Sequence, residues 1–360
     1  MADSFTGTPT TTTSGLQSSL DKYFDSLLVS TLDPMTRFYQ FGSKRALPKN
    51  VGDVVVWNRG LRMGVAFTLS EGNPISAIKQ ISTTDVSATI EQYGDVINIS
   101  DLIEMTGVVN ARKLATERLA VQAAESLDNV IKMAVLGFPG GAIGSAGVTH
   151  YVKGSTSAFF SLSTTVIETA SDPRLQVSDI RAVAFKLRSL NAPTFDGVNY
   201  VGIIHPLVVE DVISDSKWEN FHQYTTPENI YRGEIGRLHR VRFVESTLAP
   251  VSRGSGNGTA LSIAGVSVLA YGTVIFGKEF YGVTEIDGGV KTYMIEGASK
   301  NDPLNQTTML GWKANFTSRV LNPSCGIVAW AASGDIMTGA SSTSARRSGG
   351  INVGDYPTAW

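Results

Sequence analysis

The strongest pattern of hydrophobic positions along the chain is a helical one between residues 109 and 136. Apolar side chains recur there every three or four residues, and polar side chains occupy the opposite side. The apolar side consists of Val121, Ala124, Leu127, Ile131, Ala134 and Val135, and the polar side of Arg118, Gln122, Glu125, Asn129 and Lys132. Gly137 and Pro139 end the pattern, and about 27 residues predict a rod of roughly 40 Å.

Residues 51–100 show an extended pattern instead. "DVVVWNRG" is typical of a strand, and "TTDVSATIEQYGDVINIS" predicts a second, longer one with partial alternation. The stretch between them carries Gly64, Gly72 and Pro74 and has few side chains that could fill a core. We therefore predict a long hairpin-like arm. Because an isolated two-stranded arm is marginally stable in water, we expect it to lie on another subunit.

The ends of the chain differ from its middle. Residues 1–16 are rich in Thr, Ser and Gly, and 333–360 form a Ser/Gly-rich tail. Between the leader and Pro34, the spacing of Leu20, Phe24, Leu27 and Leu28 predicts an amphipathic helix.

From residue 178 onward the pattern is that of an α/β unit. Ser178 is predicted to cap a helix that "NAP" ends, "VNYVGIIH" to form a buried strand, and Pro206 to begin the next helix. Further strands are expected at "RVRFVEST" and "SVLAYGTVIFG". In "GWKANFTSRVLNPSCGIVAWAA" we predict a long strand starting near Gly311, a turn and another strand.

Composition narrows the function classes. Hydrophobic residues make up 42% and charged residues 17%, and the net charge is −2. Such a chain has no strong positive field with which to bind nucleic acid tightly. The single cysteine allows no intrachain disulfide, which fits a reducing compartment. We expect neither a Sec-type signal nor a membrane span, and therefore a soluble protein.

The chemically reactive side chains form no enzyme-like constellation. The four histidines lack metal-ligand spacing, so we expect no metal and no cofactor. His205, at the end of a predicted strand, could be functional, but capping the next helix explains it better. Cys325 has no local base, and we expect a small buried side chain. The Gly-rich loops lack the Lys-Ser/Thr ending of a phosphate loop.

Two polar segments are structural rather than chemical candidates. "YRGEIGRLHRVRF" holds Arg237 and Arg240, with Glu228, Glu234 and Glu245 around it, and predicts an ion-paired surface or a subunit contact. In "NDPLNQTTMLGWKANF", Asp302 and Asn305 are expected to bond backbone around Pro303. Gly311 is expected to allow a close backbone approach, and Trp312 to offer a large packing surface.

Several stretches, in this order, resemble the major capsid proteins of tailed bacteriophages (Caudoviricetes) with the Hong Kong 97-type fold, and more narrowly the branch found in enquatro-type podophages. They run in the family's order, and the resemblance covers about 70% of the chain. The stretches are "TDVSATIEQYGDVINISDLIE", "AAESLDNVI", "YVGIIHPLVVEDV", "YRGEIGRLHRVRFVES", "VIFGKEFYGV" and "DPLNQTTMLGWKANFTSRVLN".

The resemblance implies an α+β fold with six parts. They are an N-terminal arm (1–50), an extended β-hairpin loop over the neighbouring subunit (51–100), a peripheral domain with a long spine helix (101–139), an α/β axial domain (140–285), return strands completing both domains (286–332) and a C-terminal tail (333–360). Assembly or structural candidates on these parts are Arg59, Arg62, Glu71, Lys79, Arg237, Arg240, Asp302, Asn305, Gly311 and Trp312.

The function implied is structural and not enzymatic. Copies of the chain would form hexamers and pentamers that close into an icosahedral shell around double-stranded DNA, assembled in the bacterial cytoplasm and retained in the virion. Portal and scaffolding proteins, and decoration proteins in some members, would be partners, with the DNA nearby but not specifically bound. Some members of this fold join neighbours through a lysine–asparagine bond. Lys79 lies in the arm, but nothing in the sequence selects its asparagine, and we do not expect that bond.

Two other functions remain open at the sequence level. An encapsulin-like compartment of the same fold would hold enzyme cargo instead of DNA. An α/β hydrolase or binding protein would use His205 at its site. Closed shells would support either the capsid or the encapsulin-like compartment. A stable monomer with one ligand pocket would support the hydrolase or binding protein.

Overall fold

A computed structural model describes most of the chain, and the account below is confined to the residues it describes. These are 36–48, 52–61, 63–66, 79–106, 110–136, 147–152, 159–161, 167–168, 174–215, 218, 234–252, 261–263, 266–268, 270–296, 304 and 306–331. The predicted N-terminal helix, the Gly-rich loop after the long helix and the C-terminal tail lie outside these residues. So do four of the candidate residues, Arg62, Glu71, Asp302 and Asn305.

Strands outnumber helices among the described elements. The helices are α1 (Phe38–Phe41), α2 (Asp101–Thr106), α3 (Ala111–Leu136), α4 (Val177–Ser189) and α5 (Pro206–Ile213), with a 3-10 turn at Pro323–Cys325. The strands are β1 (Ser43–Leu47), β2 (Val54–Gly60), β3 (Thr83–Thr89), β4 (Glu91–Ser100), β5 (Thr149–Val152), β6 (Phe159–Ser161), β7 (Ile167–Glu168), β8 (Tyr200–Ile204), β9 (Glu234–Leu238), β10 (Val241–Glu245), β11 (Val251–Ser252), β12 (Leu261–Ile263), β13 (Val266–Val268), β14 (Ala270–Phe276), β15 (Tyr281–Ile295), β16 (Thr307–Val320) and β17 (Gly326–Ala331).

Two sheets carry most of the structure. The long-strand sheet has the order β1-β15-β16-β4, and the central sheet has the order β6-β5-β17-β14-β8-β10-β9 with β11 beside β14. Strands β7, β12 and β13 form a small third sheet, and β2 pairs only with β3. The central sheet mixes parallel pairs, such as β8 with β10, and antiparallel ones, such as β14 with β17. The result is the mixed α+β architecture that the sequence predicts.

Helix α3 lies on one face of the long-strand sheet, mainly against β16. Alternate residues of β16, Leu310, Trp312, Ala314 and Phe316, are buried. Met309 and Lys313 are exposed on the other face. We call this second face, away from α3, the open face. The long-strand sheet is therefore buried on one face along this part of β16, as is common where the strands pair antiparallel.

The predicted long helix is present and runs over 26 residues, two fewer than the predicted range of 109–136. Of the six side chains predicted on its apolar side, Ala124, Leu127, Ile131 and Val135 are buried. Its buried face also includes Leu119, Ala120, Ala123 and, unexpectedly, Asp128. The extra alanines widen the contact because small side chains let the helix lie close to the strands beneath it.

Three other expectations need correction. The longer predicted strand is broken at Ile90, so that β3 joins the hairpin while β4 pairs with β16 in the long-strand sheet. The hairpin therefore covers fewer residues than the predicted range 51–100. Helix α4 is capped by Gln176 and not by Ser178, because Gln176 and Asp179 exchange bonds as a capping box. The last long strand begins at Thr307, four residues before Gly311.

The central sheet buries one histidine, and its burial predicts a pH dependence. His150 is fully buried, and its Nδ1 accepts a hydrogen bond from Trp330 Nε1 at 2.9 Å. Burial lowers the pKa of His150 from 6.5 to about 4. The unfolded chain binds this proton below pH 6.5, while the folded chain does not until about pH 4. The free energy of unfolding should therefore decrease as the pH falls through this window, by about 3 kcal/mol at most.

The measurement is equilibrium unfolding between pH 7 and pH 4 in wild type and in His150→Gln. The amide oxygen of Gln can still accept from Trp330, but the side chain does not titrate. The variant should show the weaker pH dependence. Equal pH dependence in the two proteins would remove His150 as its source.

Candidate assembly surfaces

The arm predicted from the sequence is built on the antiparallel pair β2 and β3. Their registers place Val54 opposite Thr89 and Gly60 opposite Thr83. One face of the hairpin, with Val55 and Ala88, is buried, and the opposite face exposes Val54 and Val56. The buried face lies on this chain's own body. The base of the arm therefore rests on its own subunit, and the expected contact of the arm with another subunit stays a prediction.

Beyond the base, the arm presents apolar side chains to solvent. Met63 is 57% exposed, Ile81 77% and Val65 91%. The Nζ of Lys79 donates hydrogen bonds to the carbonyl oxygens of Gly64 (2.9 Å) and Val65, so this candidate residue ties the two sides of the arm together. An exposed apolar stretch held in one shape by its own backbone contacts is suited to bind another protein surface.

A second exposed apolar group lies at the end of β4. Helix α2 buries none of its side chains, and Leu102, Ile103 and Met105 are between 56% and 81% exposed. The helix is held in place by Arg112, whose Nη2 donates to Glu104 Oε2 at 2.8 Å and to Glu296 Oε1 at 2.7 Å. These two carboxylates raise the pKa of Arg112, because both stabilise the charged guanidinium. No local pattern in the sequence indicates this ion-pair cluster, since Glu296 lies 184 positions from Arg112.

Gly311 lies on the open face of the long-strand sheet, between exposed side chains of the neighbouring strands. Tyr293 and Val96 are its direct partners in β15 and β4. A Cβ atom at Gly311 would come within 2.8 Å of Val96 Cγ2 and 2.9 Å of the Asp95 carbonyl oxygen. Such distances force the neighbouring strand to shift. The next residue, Trp312, is 4% exposed on the opposite face, in the core.

We expect Gly311→Val to lower the free energy of unfolding by about 2 kcal/mol, because the new side chain collides with β4. The matched control is Lys313→Val on the same face of the same strand, which should change stability by less than about 0.5 kcal/mol. Denaturant unfolding of both variants provides the comparison. Equal stabilities would show that β4 accommodates a side chain at this position.

The arginine-rich hairpin β9–β10 carries the two arginines that were singled out from the sequence. Arg237 and Arg240 are both exposed, and Arg240 lies in a tight turn with a φ of 70°. On the same hairpin, Arg242 Nη1 forms an ion pair with Asp196 Oδ2 at 3.1 Å. The exposed guanidinium groups remain candidates for a contact between subunits.

The two residues on which an enzyme would depend have structural roles in the described fold. His205 is the N-cap of α5, and its Nδ1 accepts a hydrogen bond from the Leu207 amide at 3.2 Å. Cys325 is 2% exposed, and burial raises the pKa of its thiol to about 11. Among the described residues there is no group of three His, Cys, Asp or Glu side chains placed to hold a metal, and no described helix is long and apolar enough to cross a membrane.

Asp128 is a further residue that the sequence analysis did not single out. Its carboxylate is fully buried and accepts backbone hydrogen bonds from Arg37 (2.6 Å), Phe38 (3.2 Å) and Tyr39 (3.1 Å). Burial raises the pKa of Asp128, while these three donors and Lys132 act in the opposite direction. The signal was present in the sequence, because position 128 falls inside the apolar stripe between Leu127 and Ile131.

Comparisons with known proteins place this architecture. No family model and no curated protein matches the sequence. Solved structures do match. The capsid asymmetric unit of cyanophage Pam1 is 12% identical with a TM-score of 0.62, covering 85% of this chain and 93% of that one. The capsid of Ralstonia phage GP4 is 11% identical with a TM-score of 0.61, covering 83% and 92%.

A third match is the capsid structure of cyanophage P-SCSP1u, with 15% identity, a TM-score of 0.58 and coverage of 83% and 88%. This chain has a phage capsid fold. The likeness extends over most of every chain compared, so it concerns the arrangement of both sheets and not one shared motif. At these identities it is a likeness of fold.

Proposed function

We propose that the chain is the major capsid protein of a tailed bacteriophage, with the Hong Kong 97-type fold. The observation that carries the proposal is the fold match to phage capsid structures over 83–85% of this chain. The six segments given by the sequence resemblance supply the finer assignment. In it, α3 is the spine helix of a peripheral domain with the long-strand sheet, and the central sheet belongs to the axial domain.

In this proposal many copies associate as hexamers and pentamers that close around double-stranded DNA. Each contact between subunits can be weak, because every subunit makes several of them and they form together. The arm supplies exposed apolar side chains at a distance from the body, and α2 supplies a second apolar group. Burying such side chains against a neighbour is the driving force we assign to assembly. The net charge of −2 gives the shell no strong attraction for the DNA inside it.

No observation favours the enzyme alternative. The described role of His205 is structural, because its Nδ1 accepts the hydrogen bond that caps α5. The encapsulin-like alternative shares the fold and differs in its contents. Portal, scaffolding and decoration proteins are expected partners only by the family resemblance, as is the assembly in the bacterial cytoplasm.

The test is electron microscopy of the full chain expressed in bacteria, alone and together with the other head proteins of its genome. Closed icosahedral shells, or rings of five and six subunits, support the proposal. Shells that contain an enzyme in place of DNA when isolated from the native source would favour the compartment. A stable monomer under all of these conditions would refute both.

A further inference from the structure

Asn322 lies where three parts of the molecule meet. It follows the last residues of β16, in the long-strand sheet, and precedes the 3-10 turn that leads into β17, in the central sheet. Its Oδ1 accepts a bond from the Ser324 amide at 3.3 Å, and its Nδ2 donates to Cys325 Sγ at 2.9 Å. Its own amide donates to the Phe280 carbonyl oxygen at 3.2 Å. The side chain is thus fixed within the connection between the two sheets.

The third part is the arm. Arg59, next to last in β2, donates from Nη1 to Asn322 Oδ1 at 2.6 Å. This bond spans 263 positions of the sequence and is partly buried. A single amide side chain therefore contacts the arm and also forms the turn between the two sheets.

A second contact holds the arm nearer to its base. The ring of Trp57 covers Gly282 of β15, where a Cβ atom would lie 2.9 Å from Trp57 Cε2. Arg45 of β1 adds a hydrogen bond from Nη1 to the Val56 carbonyl oxygen at 2.7 Å. Trp57 and Arg59 are two residues apart on the same face of β2, and so about 7 Å apart along the strand.

The Trp57–Gly282 contact, the Arg45–Val56 bond and the buried Val55 all lie nearer to the base of the arm. With these contacts alone, the outer end of the hairpin could still bend away from the body. The Arg59–Asn322 bond is the outer contact and removes this freedom. We propose that the Arg59–Asn322 bond fixes the direction in which the arm leaves its own subunit, with the connection between the two sheets as its reference point.

This inference goes beyond the proposed function, and it has a consequence for assembly. A loop that is already held in one direction loses less conformational entropy when it binds than a freely moving one. The arm would meet a neighbouring subunit with its base ordered in advance. A change in the angle between the two sheets would move Asn322 and, with it, the direction of the arm.

The experiment measures the direction of the arm within one subunit. Nitroxide labels are attached to Ser87→Cys, on the outward face of the arm, and Glu125→Cys, on the exposed side of α3. The only native cysteine, Cys325, is buried and should not react. Labelled full-length chain is diluted into unlabelled chain, so that pulsed electron paramagnetic resonance reports distances within a subunit whether or not shells form.

We expect one narrow distance distribution in the otherwise unaltered chain and a loss of that single peak in Arg59→Met, which keeps the aliphatic stem but has no donor. Asn322→Asp keeps the acceptor for Arg59 and should keep the narrow peak. Arg118→Met, an exposed arginine of α3, is the matched control and should also keep it.

A narrow peak in Arg59→Met at the original distance would overturn the inference. So would a peak that broadens equally in Arg118→Met, because the effect would then not belong to the Arg59 contact. Failure of the chain to form any shell would count against the proposed function but would leave this measurement, and its answer, intact.

Discussion

Removal of the arm tip, Gly64 to Ser76, should leave a folded subunit that forms no stable shells. The tip contributes to no described part of the core, whereas Val55 and Ala88 at the base of the arm are buried on the subunit itself. Among the apolar side chains that are lost, Val65 is 91% exposed and therefore adds little to the stability of a lone subunit. The deletion should therefore weaken the association of subunits, which depends on many such contacts forming at once.

Circular dichroism and thermal melting of the deletion variant test the fold, and electron microscopy tests assembly. A second variant, in which a Gly/Ser segment of the same length replaces the tip, separates the length of the arm from its side chains. It should fail to assemble as well, if apolar contacts are what the tip provides. Normal particles from the deletion would refute the role of the arm.

Asp128→Ala should lower the free energy of unfolding by about 3 kcal/mol, since three backbone amides lose their shared acceptor. Removing Asp128 should also destabilise the charged form of Lys132 and so add to the loss of stability. Burial lowers the pKa of this lysine, and Asp128 is the charge that opposes the shift. Without the carboxylate, the segment Arg37 to Tyr39 has no acceptor for its three amides on α3. Tyr281 Oη, which donates to the Phe38 carbonyl oxygen, and Tyr39 Oη, which donates to Glu285 Oε2, would still link this segment to β15.

Denaturant unfolding measures this loss, and two further variants make it specific. Glu125→Ala, on the exposed side of α3, should change stability by less than about 0.5 kcal/mol. Asp128→Asn keeps one oxygen acceptor and should give an intermediate loss. If Asp128→Ala were as stable as wild type, water would have to satisfy the amides of residues 37–39 equally well.

The helix and the arm illustrate how far sequence reasoning extends. Periodicity located α3 within two residues, because a helix that lies on a sheet must present apolar side chains at its own repeat. It did not identify Asp128 as part of the buried face, although the position fits the stripe. A carboxylate is buried only where hydrogen-bond donors contact it. The donors to Asp128 are the amides of residues 37–39, about ninety positions away in the sequence.

The candidate residues also divide into those that a local motif identified and those whose partners only the fold brings close. Gly311 and Trp312 were singled out from a local motif. The structure shows the close approach of β4 to Gly311 and the burial of Trp312. For Arg59, the sequence indicated a polar residue on the arm but not its partner, because Asn322 is brought to it by the fold. For Arg237 and Arg240, nearby acids in the sequence suggested pairing, which stays a prediction, whereas the neighbouring Arg242 pairs with Asp196 from another part of the chain.

The sequence by itself determined the elements: the long helix, the paired strands of the arm, the buried strand before Pro206 and the long strand that carries Gly311. These follow from local geometry, since side-chain periodicity and turn residues act over a few positions. Tertiary structure alone decided which strands share a sheet, that β4 leaves the arm for the long-strand sheet, and that Arg59 reaches Asn322. Those outcomes depend on contacts between distant residues, whose partners no local pattern specifies.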